Sequence, residues 1–574
     1  MIRNNFASKA YRAFLLWGIS TTIGSAVCTF VDATLVGNYI GGEALAAVNV
    51  GTPLFLFFAV IGVTIASGAN VLIGRQLGKA DTQKANRLFQ EQLTLALIVS
   101  AVCTFVGIVF ATPILKLLGA NAEMIGYARE YAMVVFFSSG LFILYQVLSF
   151  SVRSDGNPRL AAVSSAVLIV LNLVLDIFFL GVLKMGIRGA SLALCIGKLF
   201  SVLVLLTHFR RKNRYLKLGV RLPSGKTILE FVKCGFGMGS VFLFQALIMG
   251  IFNQLLIASG ADGTYHVALF TIIYTLSTFG AAFFDGASIA LTPVISIFYG
   301  EKDFSSIKQT LKESVKWVAA AGVSVTAVFI LFAENIIRIF GMSEIANFQN
   351  AVLSFRLFSV SLLFTGLNTL LISYWQSVGK NFISSFMSVL KSFVFLFLFG
   401  IVLIPRYQTV GLGITYICAQ GLCFAAALIL YMVLSKKDEK QIAGFHENTR
   451  IFEKTYVISI DSIADISADI GRISEEWDID VKNSYFINFV IEEITVNIIK
   501  FALGKQNKEH YIALKLTEQN GRYSLRIRDD VTDYNPFETE GDDIDNAAIH
   551  MIKTKSEFCD YQRKLIFNYL NIKL

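Results

Sequence analysis

The chain has 574 residues, 55% of them hydrophobic and only 16% charged, with a mean hydropathy of +0.62 and a formal net charge of +9. A soluble protein of this size cannot bury so much apolar surface, so the composition excludes an ordinary globular enzyme and assigns most of the chain to lipid. Its basic residues line short loops without interleaved base-stacking aromatics, which excludes a nucleic-acid reader.

Windows of roughly 20 apolar residues, the length that crosses a hydrocarbon core, recur twelve times, near 11–31, 48–68, 92–113, 131–151, 160–182, 187–208, 234–258, 267–297, 314–332, 353–374, 383–404 and 411–434. The first is flanked by Arg3, Lys9 and Arg12 and reads as a true first helix rather than a cleaved leader. Alternate loops are rich in Lys and Arg: Arg75, Lys79, Lys84 and Arg87, then Arg153 and Arg159, then the run from Arg210 to Lys226. The intervening loops are poorer, so both termini are expected to be cytoplasmic in a bacterial inner membrane. From residue 445 onwards the balance reverses, with 16 Lys and Arg against 23 Asp and Glu. The seven cysteines form no metal-binding or CxxC spacing and read as packing residues.

Sliding the chain by 222 residues aligns Gly41 with Gly263, Gly78 with Gly300, Asp81 with Asp303, Gly119 with Gly341 and Gly189 with Gly411. One residue of slippage aligns SDGNP at 154–158 with SVGKN at 377–381. Six spans per unit make the repeats parallel, related by an axis along the membrane normal, which is transporter architecture. The expected domains are two six-helix lobes, 1–222 and 223–440, and a soluble α/β sandwich-like domain, 441–574. Ionisable groups at membrane depth are costly and mark function. Asp32, Asp176 and Asp285 lie inside spans, and Asn172 shares a helical face with Asp176. The 222-residue mates of Asp32, Asn172 and Asp176 are Gln254, Val394 and Leu398, so a cation or proton site belongs to the first lobe alone. Asp285 either meets a cationic substrate in the cavity or caps a helix break at Gly286.

The strings FVDATLVGNYIGGEALAAV and FSVRSDGNPRLAAVSSAVLIVLNLVLDIFFLGVLKMGIRGASLAL closely resemble the multidrug and toxic compound extrusion (MATE) transporters, over about residues 10–435. The resemblance implies antiport, in which inward H+ or Na+ drives export of substrate, often an amphipathic organic cation. It places the coupling carboxylate of the first helix on Asp32 and the fifth-helix pair on Asn172 and Asp176. A seventh-helix carboxylate of some relatives has only Gln245 as its nearest candidate, and the tenth span offers Asn368, so their Na+ site is not reproduced. No proline falls within residues 11–36 to bend the first helix.

Beyond residue 441 strands and helices alternate. The segments VIEEITVNIIKFA, RDDVTDYNPFE and AIHMIKTKSEFCDYQRKLIFNYLNIKL resemble the anti-sigma-factor branch of the histidine-kinase-like ATPases. That resemblance implies Mg-ATP, with Glu493 as base, Asn497 on Mg2+ and Asp529 on the adenine. Val531 and the stretch DNAAIHMI replace the glycines that let backbone approach a nucleotide. A degenerate domain that binds a protein partner is the expectation. Two further readings follow: a flippase for an amphipathic or lipid-linked molecule, and a membrane-tethered sensor that signals through the tail.

Overall fold

A computed structural model describes the backbone of residues 5–573 outside 41, 118–124, 212–213, 259–262, 340–347, 445–448, 503–508, 520 and 539–542. Side chains at 5, 29–53, 117, 127–128, 187, 263–265, 267–268, 271, 339, 435–449, 502 and 543–546 also lie outside the description. Helices run in the order α1 (Asn5–Ile40), α2 (Gly42–Gly78), α3 (Thr82–Val109), α4 (Ala111–Leu117), α5 (Ile125–Phe137), α6 (Ser139–Ser154), α7 (Pro158–Asp176), α8 (Ile187–Leu206), α9 (Gly225–Ala258), α10 (Gly263–Gly300), α11 (Phe304–Leu331), α12 (Ala333–Ile339), α13 (Phe348–Ser377), α14 (Asn381–Val389) and α15 (Phe395–Gly444). Among the described residues nine helices are long and apolar enough to cross a membrane, or ten if the bent pair α5–α6 is one span. The twelve expected windows exceed that number for identifiable reasons. Windows 383–404 and 411–434 fall in one helical run, Asn381–Leu434, interrupted at Gln408 (φ 46°, ψ −121°) three residues after Pro405. In addition, α1 is described only in part.

Residues Tyr11–Ile429 form one compact unit. Lipid is as apolar as leucine, so its helices associate through close packing of small residues rather than hydrophobic drive. The tightest seam joins α2 to α9: a Cβ on Gly68 would lie 2.0 Å from the Phe231 carbonyl oxygen, and one on Gly235 1.9 Å from that of Thr64. At the end bearing the basic loops, α2 also meets α10, where Cβ atoms on Gly78 and Gly300 would each come within 2.2 Å of a facing carbonyl oxygen. Arg75 completes this end. Its guanidinium donates to the carbonyls of Gln376 (2.9 Å) and Ser377 (3.2 Å), satisfying orphan acceptors at the C-terminus of α13.

Loops 222 residues apart share their conformations. Asp81 (φ −88°, ψ 74°) and Asp303 (φ −93°, ψ 78°) each cap a helix, accepting from Lys84 N (2.9 Å) and Ser306 N (3.1 Å). The residues before them, Ala80 and Lys302, are both left-handed, as are Gly156 and Gly379 at the slipped register.

The second unit comprises Leu430–Leu574 together with Met1–Ala10. Its strands β1 (Thr449–Val457), β2 (Tyr511–Gln519), β3 (Arg522–Asp529), β4 (Phe558–Lys564) and β5 (Phe567–Lys573) form one antiparallel sheet in the order β1-β2-β3-β5-β4. Helices α16 (Ile460–Trp477), α17 (Val481–Asn497) and α18 (Asp543–Lys555) share its core, through residues such as Ile466, Ile491 and Ile552 against Leu514, Leu525 and Ile572. The expected α/β sandwich is thus corrected to a small, wholly antiparallel sheet with helices. The first turns of α1 dock here: Phe6 is fully buried edge-to-face on Phe567 at 5.0 Å, and Lys9 pairs with the buried Asp530, which also accepts from Tyr511 N at 2.8 Å.

Two outcomes test this packing. Gly235→Ala should destabilise the purified protein by about 1–3 kcal/mol through overpacking, whereas Gly421→Ala, with open space around it, should be neutral or stabilising; thermal unfolding in detergent compares them. Phe6→Ala should weaken docking of the first helical turn by roughly 3 kcal/mol, read as faster hydrogen exchange in residues 6–10 with exchange in β2 unchanged.

Candidate ion-coupling and substrate sites

Helix α7 begins where Asn157 accepts from Leu160 N and Pro158 occupies the first helical position. It ends at Asp176, beyond which the chain widens into a π-helical turn over Ile177–Val182. Asn172 and Asp176 face the bundle interior and are fully buried. Asn172 Nδ2 donates to Asp176 Oδ2 at 2.9 Å, and Cys28 Sγ of α1 donates to Asn172 Oδ1 at 3.1 Å. The amide therefore relays between a thiol and a carboxylate. Cys28 stands four residues before Asp32, so spacing puts both on one face of α1. The Asp32 side chain itself lies outside the described residues.

Lys198 of α8 adjoins this relay, and sequence reasoning missed it. Gly197 brings α8 against α7, where an added Cβ would sit 3.6 Å from that of Asn172. The Lys198 ammonium lies 4.0 Å from the centroid of Tyr145 and acts electrostatically on Cys28. A lone lysine inside the apolar run ASLALCIGKLFSVL was the available signal.

Among the other expected residues, Asp285 of α10 is exposed within an otherwise buried stretch. Asn368 of α13 is buried and donates to the Gln420 carbonyl at 3.1 Å. Lys391, in the π-helical turn Leu390–Val394 between α14 and α15, donates to the Thr369 hydroxyl. It is the second intramembrane lysine that the sequence reading passed over. Gln245 and Gln254 both lie on α9, half-buried and exposed respectively, and no hydrogen bond among the described residues joins either to Asp285 or Asn368.

In the tail, Asn497 is buried and its amide donates to the Glu493 carbonyl of its own helix at 2.8 Å. Asp529 accepts from Asn568 Nδ2 at 2.8 Å and Val531 N at 3.2 Å. The cavity beside it, lined by Ile494, Ile498, Tyr534 and Tyr561, measures about 10 Å³, room for about one water. An adenine does not fit there, and Val531 is part of the core. Among the described residues Glu493, Asn497 and Asp529 thus form no Mg-ATP site in this conformation. Burial pushes the Asp529 carboxyl up to about 7, opposed by the hydrogen bonds from Asn568 and Val531 N. Its folded value lies above the unfolded one, so its stabilisation is complete below about pH 4 and is lost as pH rises through about 7. The loss is about 4 kcal/mol at most. Pulse proteolysis of the tail in the full chain should therefore show stability falling from pH 5 to pH 8, and Asp529→Asn should flatten that slope.

Comparison with known proteins agrees with this architecture. The MatE family model matches residues 19–178, and the model named "Lipid II flippase MurJ" matches residues 189–468, reaching into α16. The multidrug export protein MepA of Staphylococcus saprophyticus is 22% identical over 449 residues, covering 74% of this chain and 94% of that protein. A FAD transporter of Shewanella oneidensis is 30% identical over 196 residues, covering 33% of this chain and 42% of that one. The outward-facing structure of a multidrug resistance MATE family transporter of the MOP superfamily superposes with a TM-score of 0.69 at 22% identity, covering 75% of this chain and 97% of that one. The helical part of the chain therefore has the fold of the MATE transporters, secondary transporters rather than enzymes, and carries their family's sequence pattern across its first helices.

Proposed function

We propose that the chain is an ion-coupled antiporter that exports amphipathic molecules bearing a cationic group across the bacterial cytoplasmic membrane, with both termini cytoplasmic. The observation that carries this reading is the relay Cys28–Asn172–Asp176, its amide and carboxylate buried, one helical turn from Asp32. A carboxylate held at membrane depth without an aqueous shell is costly. A proton or Na+ that neutralises Asp32 or Asp176 changes which arrangement of α1, α7 and α8 is favoured. Ion binding then biases inward against outward states, provided its affinity differs between them. The seam of α2 against α9 and α10 closes the end with the basic loops, so this conformation would open to the outside. The similarity to MepA, a multidrug export protein by name, supports export of small molecules.

The lobes 1–222 and 223–440 would rock about that seam as the two halves of the transporter. The domain 441–574 would regulate them without nucleotide, as a degenerate relative of the anti-sigma-factor ATPases whose binding surface receives a polypeptide. A flippase is the second reading, favoured by the match of residues 189–468 to the lipid II flippase model.

Efflux of a fluorescent organic cation from proteoliposomes, under an imposed pH or Na+ gradient, separates these readings. One gradient should drive transport, and Asp32→Asn and Asp176→Asn should each reduce it at least about tenfold, equivalent to about 1.4 kcal/mol. Gradient-independent movement that both variants preserve would move the flippase reading ahead.

A further inference from the structure

A second constellation lies on α10, α13 and the turn before α15, apart from the Asn172–Asp176 relay. Asp285 is exposed, although Phe284, Gly286 and Ala287 around it are buried and 78% of the span's most apolar window is buried. A mid-span carboxylate facing lipid is disfavoured, so this exposure is to an internal space. Its neighbours fix where that space lies. Gly286 presses on α1, where a Cβ would be 2.6 Å from the Ile19 Cα, and Phe284 presses on Gly366 of α13. Thr369 stands one turn beyond Gly366 and accepts the ammonium of Lys391. Gln420 Nε2 in turn donates to the Lys391 carbonyl at 3.3 Å, while its own oxygens receive the Asn368 amide.

Asp285 and Lys391 act on one another electrostatically, yet among the described residues no ion pair or hydrogen bond closes between them. Two more polar atoms are left over: Asn368 Oδ1 and Ser392 Oγ are buried without a hydrogen-bond partner. Two opposite charges held apart in a low dielectric treat ligands differently according to charge pattern. A simple cation gains from Asp285 and loses to Lys391, and a simple anion does the reverse. A molecule with both charges gains from both.

We infer that this constellation binds zwitterionic amphiphiles, with the ligand's cationic group on Asp285 and Asn368 Oδ1 and its acidic group on Lys391. The inference rests on the export reading only for the direction of movement. Binding is measured without any gradient, so each can fail alone. A free amphiphile and a zwitterionic lipid headgroup present the same chemistry.

The test uses the purified full chain in non-ionic detergent and the fluorescence anisotropy of two dyes with one ring system: rhodamine B, an inner salt, and its methyl ester, a cation. The parent should bind the acid at least about tenfold more tightly than the ester, a difference of about 1.4 kcal/mol. Lys391→Gln should abolish or invert that preference, and Asp285→Asn should weaken both dyes. Exchanging the charges with Asp285→Lys and Lys391→Asp together should restore preference for the acid, which guards against reading a misfolded single variant as support. Equal binding of acid and ester by the parent, or a preference that survives Lys391→Gln, overturns the inference. In proteoliposomes, displacement of the dye by phosphatidylethanolamine but not phosphatidylglycerol identifies a headgroup as occupant, whereas displacement by neither identifies a free amphiphile. Equal displacement by both lipids overturns charge recognition.

Discussion

The membrane unit depends on backbone meeting backbone. Where helices cross in lipid there is no solvent to expel, and association comes from how closely the chains approach. At the crossings of α2 with α9 and α10 only glycine hydrogens separate main chain from main chain. That proximity holds Arg75 under the carbonyls of α13 and closes one end of the bundle. The α1–α10 crossing at Gly18 and Gly286 does the same beside Asp285. Polar groups in the bundle therefore occupy places set by small residues next to them, as Gly197 also sets α8 beside Asn172.

The two polar constellations differ in kind. Around Asn172 the amide and the Asp176 carboxylate are buried, joined by a hydrogen bond and packed by α8, which under the proposed function would suit an ion small enough to change a protonation or coordination state without opening the site. Around Asp285 the charges are apart, the carboxylate exposed and the lysine half-buried, with hydrogen-bonding capacity unused. Under the proposed function, such a site would receive the larger visitor. A transporter that couples a small driving ion to a bulky cargo needs both, and placing them on different helices lets each change without erasing the other.

Much of this was legible in the sequence. Apolar windows mark the helices because lipid imposes their length, and the i,i+4 spacing of Asn172 and Asp176 places them on one face before any contact is known. The 222-residue offset appears again in the paired caps of Asp81 and Asp303, because a left-handed residue followed by a capping aspartate is a local device. Lys198 and Lys391 were passed over because a single lysine in an apolar run has no periodicity, and only the fold shows what surrounds it. The break at Gln408 was legible too, since it falls in the gap between the last two apolar windows, three residues after Pro405. The small size of the cavity beside Asp529 depends on Tyr534 and Tyr561, which come from separate segments, whereas Val531 already signalled crowding.

The grip of the tail on the first helical turn connects residues far apart in time as well as in sequence. Lys9 and its partner Asp530 are separated by 521 residues. At synthesis rates of about 5–20 residues per second, roughly half a minute to nearly two minutes pass between the appearance of one and of the other. Throughout that interval Phe6 has no sheet to cover it, while the helices that follow are already being laid into the membrane. The start of the first helix is thus among the earliest segments made and among the last to reach its final neighbours, so a ribosome that stops short of β5 leaves a membrane body whose leading turn is still exposed.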